Sequence, residues 1–167
     1  RLAPVKEVSQ IGAVIGREFS YSLMCEVAGR AEPSLKDALA KLEQAELVFR
    51  RGEPPEATYS FKHALVRDAA YESLLKSRRQ QLHGQIARTM VEKFPNIVVS
   101  QPEIVAHHFT EAGLIESAIA YWLKAGNLAL TRSANAAVGH LEQGLKLARM
   151  VAQKLNVSIS GLARGGV

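Results

Sequence analysis

Hydrophobic and polar positions in residues 1–75 predict three helices followed by a β-hairpin. Helical spacing occurs in PVKEVSQIGAVIG, YSLMCEVA and EPSLKDALAKLEQA, and the last segment places Leu35, Leu39 and Leu42 on one face. Strand character occurs in ELVFRR and TYSF, which are separated by GEPPEA, a segment whose glycine and prolines favour a loop. Three helices and then a hairpin is the order of a winged helix. We therefore predict a winged-helix-like domain with a short β-hairpin over residues 1–75.

After the hairpin, apolar residues recur only at helical spacing. Leu82, Ile86, Met90 and Phe94 follow one another every four positions, with Ala87 and Val91 beside them, so they predict the core stripe of a helix that Pro95 ends. Three further amphipathic helices are predicted in SQPEIVAHHFTEAG, LIESAIAYWLKAGNLALTRS and NAAVGHLEQGLKLARMVAQK. The tail LNVSISGLARGGV loses the helical period and contains three glycines, so residues 155–167 are predicted to be disordered.

The helices after residue 100 also have the spacing of a tetratricopeptide repeat (TPR). Small residues at fixed positions let two antiparallel helices approach closely, and aromatic residues fill the groove between them. A second match starts 19 residues after the first, rather than about 34 residues later, so we expect hairpins that share a helix. We predict a mainly α fold with TPR-like antiparallel hairpins over residues 76–154 and Trp122 as a buried anchor. The matching positions are Val105, Ala106, Phe109, Ala118, Trp122 and Ala125, then Ala137, Leu141 and Gly144.

Composition and the termini bear on the compartment. The chain has 167 residues and 47% hydrophobic content, enough for a real core in one domain or two small ones. No apolar run reaches the ~18 residues of a membrane span, and RLAPVKEV lacks the features of a signal peptide. Cys25, the single cysteine, occupies an apolar helical position and is predicted to be a buried structural thiol. We expect a soluble cytoplasmic chain with no membrane partner, and its start at Arg1 suggests an excerpt of a longer protein.

The charge pattern argues against a nucleic-acid partner. Residues 1–75 carry a net charge of −1 and residues 76–167 a net charge of +6. The densest basic segment, KSRRQQLHGQIARTMVEK, places its charges on one helical face, which is typical of a solvated surface. The third helix, the recognition helix of a DNA-binding winged helix, has a balanced exposed face, so DNA binding is not favoured. That face comprises Lys36, Asp37, Lys41, Glu43 and Gln44.

Motifs for catalysis are absent from the sequence. No G-x-x-x-x-G-K-[ST] phosphate loop is present, and no motif indicates a Ser, His and Asp triad. His107 and His108 are adjacent, so on a helix they point about 100° apart and would need a third ligand from elsewhere to bind a metal. We expect no enzyme activity, no metal and no cofactor in this chain.

Three segments resemble a known family: IGREFSYSLMCEVAG, LVFRRGEPPEATYSFKHALVRDAAYESLLKSRRQQLHGQIA and AHHFTEAGLIESAIAYWLKAG. Over residues from about 10 to 150 the chain resembles the region after the ATPase core in bacterial STAND ATPases for signal transduction, particularly those joined to class III adenylate/guanylate cyclases. In that family a cyclase, a P-loop ATPase, a winged helix and a TPR-like sensor follow in order. The resemblance implies that this chain holds the last two modules. Its partners would be its own upstream ATPase and cyclase domains, which bind ATP and ADP, and a protein that binds the repeats.

The resemblance also implies a role for His63. FKHALVRDAAY is similar to the MHD motif of NB-ARC ATPases, in which a histidine at the start of a winged-helix helix contacts the β-phosphate of ADP. His63 matches that histidine, whereas Ala64 stands where the motif has Asp, so the assignment applies to His63 alone. We expect His63 to be partly exposed in the first turn of its helix.

Two functions remain open at this stage. The first is a non-catalytic regulatory and interaction region of a STAND-type cyclase, with the winged helix sensing the nucleotide state and the repeats binding a protein. The alternative is a DNA-binding winged-helix transcriptional regulator with a helical dimerisation or ligand domain, for which Arg50 and Arg51 on the hairpin are the best support.

Overall fold

The computed structural model describes residues 2–164 and divides the chain into two compact units. The first ends at Lys93 and the second begins at Phe94. The predicted boundary after residue 75 is therefore corrected by 18 residues, because the helix that follows packs against the first two helices of the first unit. The fold class is confirmed: the chain is mainly helical, with a small antiparallel sheet that contains the predicted hairpin.

The first unit contains five helices and three strands among the described residues. They follow in the order α1 (Leu2–Ile15), β1 (Glu18–Ser20), α2 (Tyr21–Ala28), α3 (Glu32–Gln44), β2 (Val48–Arg51), β3 (Thr58–Phe61), α4 (Ala64–Glu72) and α5 (Lys76–Lys93). The three predicted helices and the hairpin are all present in the predicted order. Ser20 caps α2 by accepting a hydrogen bond from the Leu23 N–H, and Gly29 ends that helix in the left-handed conformation.

The sheet has one strand that the sequence did not predict. Strand β3 is central, pairing antiparallel with β2 on one side and with β1 on the other. Phe19 of β1 lies opposite Tyr59 and stacks on its ring, with centroids 5.6 Å apart. Both side chains are buried, so β1 ties the sheet to the helical core.

The core of the first unit lies between the inner face of the sheet and helices α1, α2, α3 and α5. Alternation along β3 buries Tyr59 and Phe61 on this face. Helix α5 adds Leu82, Ile86 and Met90, whereas Val91, predicted beside the stripe, is 37% exposed. The largest fully buried side chains of this unit are Val8, Ile11, Val14, Met24, Leu35, Leu39, Leu42, Leu82 and Ile86.

The turn after α3 holds an acidic residue in a backbone conformation that normally favours glycine. Glu46 has φ = 56°, and its N–H donates to the Glu43 carbonyl oxygen at 2.9 Å. The Leu47 N–H donates to the Leu42 carbonyl oxygen at 3.0 Å, which completes a Schellman motif. The same motif follows the second helix of the second unit, where the equivalent residue is Gly113 with φ = 74°.

Substitutions at these two turns should change stability in opposite directions. Gly113→Ala should lower the free energy of unfolding by about 1 kcal/mol, since a Cβ is disfavoured in the left-handed region. Glu46→Gly should raise the urea midpoint, because it relieves that strain and loses only an exposed ion pair with Lys62. Urea denaturation of both variants measures the effects, and a lower midpoint for Glu46→Gly would show that the ion pair outweighs the strain.

The second unit is a series of helices: α6 (Pro95–Ser100), α7 (Pro102–Glu111), α8 (Ile115–Leu130) and α9 (Ala134–Arg164). Helix α6 was not predicted: Pro95, expected to end the preceding helix, occupies the first turn of α6. Helix α8 packs against α7 and against α9, so the two antiparallel hairpins share it, as the sequence predicted.

The predicted small and large packing positions of the hairpins are mostly buried. Helices α8 and α9 approach each other closely at Gly126, since a Cβ there would come within 2.5 Å of Leu141 Cδ2 on α9. Trp122 is half-buried, less than the buried anchor that was predicted. The buried positions that match the prediction are Val105, Ala106, Phe109, Ala118, Ala125, Ala137 and Gly144.

The end of α9 differs from the predicted tail. The helix continues to Arg164, so residues 155–164 are helical where disorder was expected. Gly161 lies within the helix, and a single glycine costs only about 1 kcal/mol there. Residues 165–167, the last part of the predicted tail, lie outside the described residues.

Candidate functional site

The junction between β3 and α4 is fixed by backbone hydrogen bonds on both sides. The Phe61 N–H donates to the Arg17 carbonyl oxygen at 3.1 Å, and the Lys62 N–H donates to the Leu47 carbonyl oxygen at 3.0 Å. The Phe61 side chain is buried beneath the sheet. The backbone that leads into α4 therefore has a well-defined position.

His63 follows this backbone directly and is the N-cap residue of α4. Its backbone is extended (φ −132°, ψ 139°), and its carbonyl oxygen accepts from the Val66 N–H at 3.1 Å and the Arg67 N–H at 3.4 Å. The side chain is exposed and makes no capping hydrogen bond. We expected His63 in the first turn of α4. The structure places it one residue before that turn, with an exposed side chain.

This position brings two kinds of hydrogen-bond donor together. The first backbone N–H groups of a helix have no carbonyl partner within it, and they carry the positive end of the helix dipole. An imidazole ring adds an N–H donor of its own. A phosphate oxygen that approached the start of α4 could therefore accept from both the ring of His63 and the backbone.

The residues around His63 add one paired charge and two exposed apolar side chains. Lys62 Nζ lies 2.8 Å from Glu46 Oε2 and 5.4 Å from the centre of the Phe49 ring. The hydrogen bond and the charge of Lys62 hold the pKa of the Glu46 carboxyl below its ordinary value, so this carboxyl is ionised at neutral pH. Phe49 is 57% exposed and Leu65 is 81% exposed. We call Phe49, Lys62, His63 and Leu65 the junction surface.

A second cluster, which the sequence analysis missed, joins α4 to α5. Tyr71 Oη lies 3.1 Å from Nε2 of His83, a histidine that is only 2% exposed. The guanidinium groups of Arg67 and Arg79 lie 5.3 Å and 5.0 Å from the centre of the Tyr71 ring. The Arg67 Nε also donates to the Ala13 carbonyl oxygen at 3.1 Å, so the cluster anchors α4 on α1.

The other chemically reactive residues considered from the sequence do not form a site. His107 is exposed and His108 is buried, with ring centres 5.7 Å apart. Among the described residues, no group of three His, Cys, Asp or Glu side chains is placed to hold a metal ion. Cys25 is only partly buried, in contrast to the buried thiol that was predicted. Burial still raises the pKa of its thiol, which stays protonated at neutral pH.

Basic residues on α3 and the hairpin are paired with carboxylates. Lys36 pairs with Glu32, and Lys41 pairs with Asp37, each at 2.7 Å. A cleft between α3 and the hairpin, about 410 Å³ in volume, is lined by charges of both signs. The remaining pairs are Arg50 with Glu43 and Glu53, and Arg51 with Glu18.

Comparison with known proteins finds a distant relative of this chain. The chain is 25% identical over 135 residues to an uncharacterized protein, R02095, of Rhizobium meliloti (strain 1021). The match covers 80% of this chain and 13% of the relative, so the chain spans only a small part of that protein's length. No protein-family model matches the chain, and no solved structure matches it. Among the described residues, no helix has both the length and the apolar character that crossing a membrane requires.

Proposed function

We propose that this chain is the non-catalytic regulatory and interaction region of a STAND-type ATPase joined to a class III adenylate/guanylate cyclase. In this role the first unit senses whether the upstream ATPase core holds ADP or ATP, and the helical hairpins of the second unit bind a protein. The sequence resemblance of residues 10–150 supplies the family. The observation that carries the proposal is the exposed His63 at the start of α4. Backbone hydrogen bonds fix the two residues that precede it, Phe61 and Lys62.

The junction surface suits contact with an ATPase core that holds the nucleotide. A histidine that contacts a phosphate bound by another domain must be accessible at the surface of its own domain. The side chain of His63 is exposed. Phe49 and Leu65 offer apolar area beside it, and exposed apolar groups next to polar ones are typical of protein contact sites. The Tyr71 and His83 cluster stabilises α4, so movement of His63 with the nucleotide state would carry α4 and α5 with it.

The paired charges support this proposal over the DNA-binding alternative. Affinity for a phosphate backbone comes largely from basic side chains that release counterions. On α3 and the hairpin, Lys36, Lys41, Arg50 and Arg51 each lie within 3.4 Å of a carboxylate oxygen. Bringing this face to DNA would therefore place several carboxylates near the phosphates.

His63→Ala tests the proposal in the full-length protein that carries the ATPase core. Loss of a hydrogen bond to a charged phosphate weakens binding by about 1.5–3 kcal/mol, so release of fluorescent ADP should become about tenfold faster or more. The isolated chain with the same change should lose less than about 1 kcal/mol of stability, as exposed positions usually do.

A matched control is His107→Ala, which removes an exposed histidine from the second unit and should leave ADP release unchanged. Unchanged release in the His63 variant would contradict the proposed sensing role. Unfolding of the isolated His63 variant would assign the residue a structural role instead.

A further inference from the structure

Helix α9 presents an exposed apolar stripe along one side. Val138, Leu145 and Leu155 are 53%, 51% and 58% exposed. The apolar residues of the stripe follow one another at alternating steps of three and four, the spacing of the seam in a two-stranded coiled coil. They are Val138, Leu141, Leu145, Ala148, Ala152 and Leu155.

Helix α8 covers only part of α9. The 16 residues of α8 span about 24 Å, whereas the 31 residues of α9 span about 46 Å. Helix α8 packs against the first half of α9, where Leu141 meets Gly126 and His140 stacks on Trp122. In the second half, the side chains of residues 152–156 are all exposed, and a short helix without packing is only marginally stable in water.

The stripe continues into a groove between the two helices. The groove is apolar, has a volume of about 220 Å³ and includes Leu123 of α8, which is 53% exposed. Leu141, Leu145 and Ala148 form its α9 side, and Gly144 leaves room at its floor. A helix lying along α9 would therefore contact α8 as well.

We propose that α9 pairs in antiparallel orientation with α9 of a second copy of this chain. In an antiparallel coiled coil, an a position of one helix lies opposite a d position of the other. In α9 this arrangement pairs large residues with small ones near the centre of the stripe. The layers are Leu145 opposite Ala148 of the second copy, Leu141 opposite Ala152, and Val138 opposite Leu155.

The charges beside the stripe fit this orientation. Glu142 and Arg149 are both exposed, and each immediately follows a stripe residue. A two-fold axis near the centre of the stripe places Glu142 beside Arg149 of the second copy, and the symmetry forms this pair twice. In a parallel pairing in register the same side chains would face Ala137 and Gly144, which carry no charge. Complementary charge therefore favours a second copy in antiparallel orientation.

Light scattering and sedimentation of the full 167-residue chain test the proposal. The parent should have twice the 18.2 kDa monomer mass at micromolar concentration and dissociate on dilution. Leu145→Lys should give the monomer mass with unchanged circular dichroism, because Leu145 is half exposed. Leu65→Lys, at a leucine of the first unit that is more exposed than Leu145 (81% against 51%), is the control and should leave the dimer intact. A parent that is monomeric throughout, or a dimer that survives Leu145→Lys, would overturn the proposal.

Charge reversal and cross-linking test the orientation. Glu142→Arg and Arg149→Glu should each weaken the dimer at least several-fold, and the double variant should restore it. In a Cys25→Ser background, a mixture of Val138→Cys and Leu155→Cys chains should form the mixed disulfide under oxidation. Disulfides between two Val138→Cys chains instead would refute the antiparallel pairing. These experiments need no nucleotide, so their failure leaves the proposed sensing role of His63 intact.

Discussion

Ile86→Ala should destabilise the chain by about 2–5 kcal/mol, the cost of removing a large aliphatic side chain from a packed core. Ile86 is completely buried on α5, which packs against α1 and α2. Loss of its methylene and methyl groups leaves a cavity that rigid neighbouring helices close only in part. Urea denaturation followed by far-UV circular dichroism measures the change.

Val91→Ala is the matched control for this experiment, because Val91 lies on the same helix but is 37% exposed. Its effect should stay below about 1 kcal/mol. A loss for Ile86→Ala as small as that for Val91→Ala would mean that α5 does not belong to the core of the first unit. The domain boundary would then lie nearer residue 75, where the sequence had placed it.

Trp122→Ala should cost about 3 kcal/mol, the lower end of the range for such truncations, because the side chain is half-buried. The indole Nε1 donates to Thr110 Oγ1 on α7 at 3.0 Å. Its ring stacks on His140 of α9 with centroids 5.6 Å apart and planes 25° apart. One side chain of α8 therefore contacts both neighbouring helices, and its removal weakens both packings together.

Trp122→Phe separates the contribution of the hydrogen bond from that of the ring. Phenylalanine keeps an aromatic ring but has no N–H donor, so this variant should lose about 1 kcal/mol. Calorimetric melting of the two variants and the parent gives the comparison. If Trp122→Ala melts at the temperature of the parent, Trp122 does not hold the hairpins together and the repeat register is wrong.

The sequence predicts long elements of this chain better than short ones. Helical spacing identifies α1, α2, α3, α7 and α8 because each offers at least two turns of apolar periodicity. Strand β1 has three residues, too few to show alternation, and its partner β3 lies about forty residues later in the chain. Its pairing depends on contacts that local sequence does not contain.

Helix α5 shows how a pattern can identify the right face and misplace its edge. A step of four residues turns a helix by about 400°, so each step drifts about 40° from the starting direction. Three such steps separate Leu82, which is buried, from Phe94, which is half-exposed just after the helix. His83 precedes Ile86 by three positions and Ala87 by four, which is the spacing of one helical face. That spacing could have shown that His83 is buried, but its basic neighbours favoured a solvated surface.

The position of His63 was predictable, but its surroundings were not. The change from strand to helical spacing at residue 63 indicates the junction, and the structure places the N-cap there. The register of the hairpin places Phe49 near this site, and the turn after α3 places Glu46 there. A left-handed Glu46 is not indicated by residue type, since glycine is the usual residue in that turn.

The sharing of α8 between two hairpins has a consequence for how the second unit unfolds. In arrays of independent repeats, one repeat can open while its neighbours stay folded, since stability is divided among units and the interfaces between them. Here α8 supplies one wall of both hairpins, and its Trp122 contacts α7 and α9 at once. Loss of either outer helix leaves α8 with an uncovered apolar face. The three helices should therefore behave as a single cooperative unit, with no point at which it divides into separately stable hairpins.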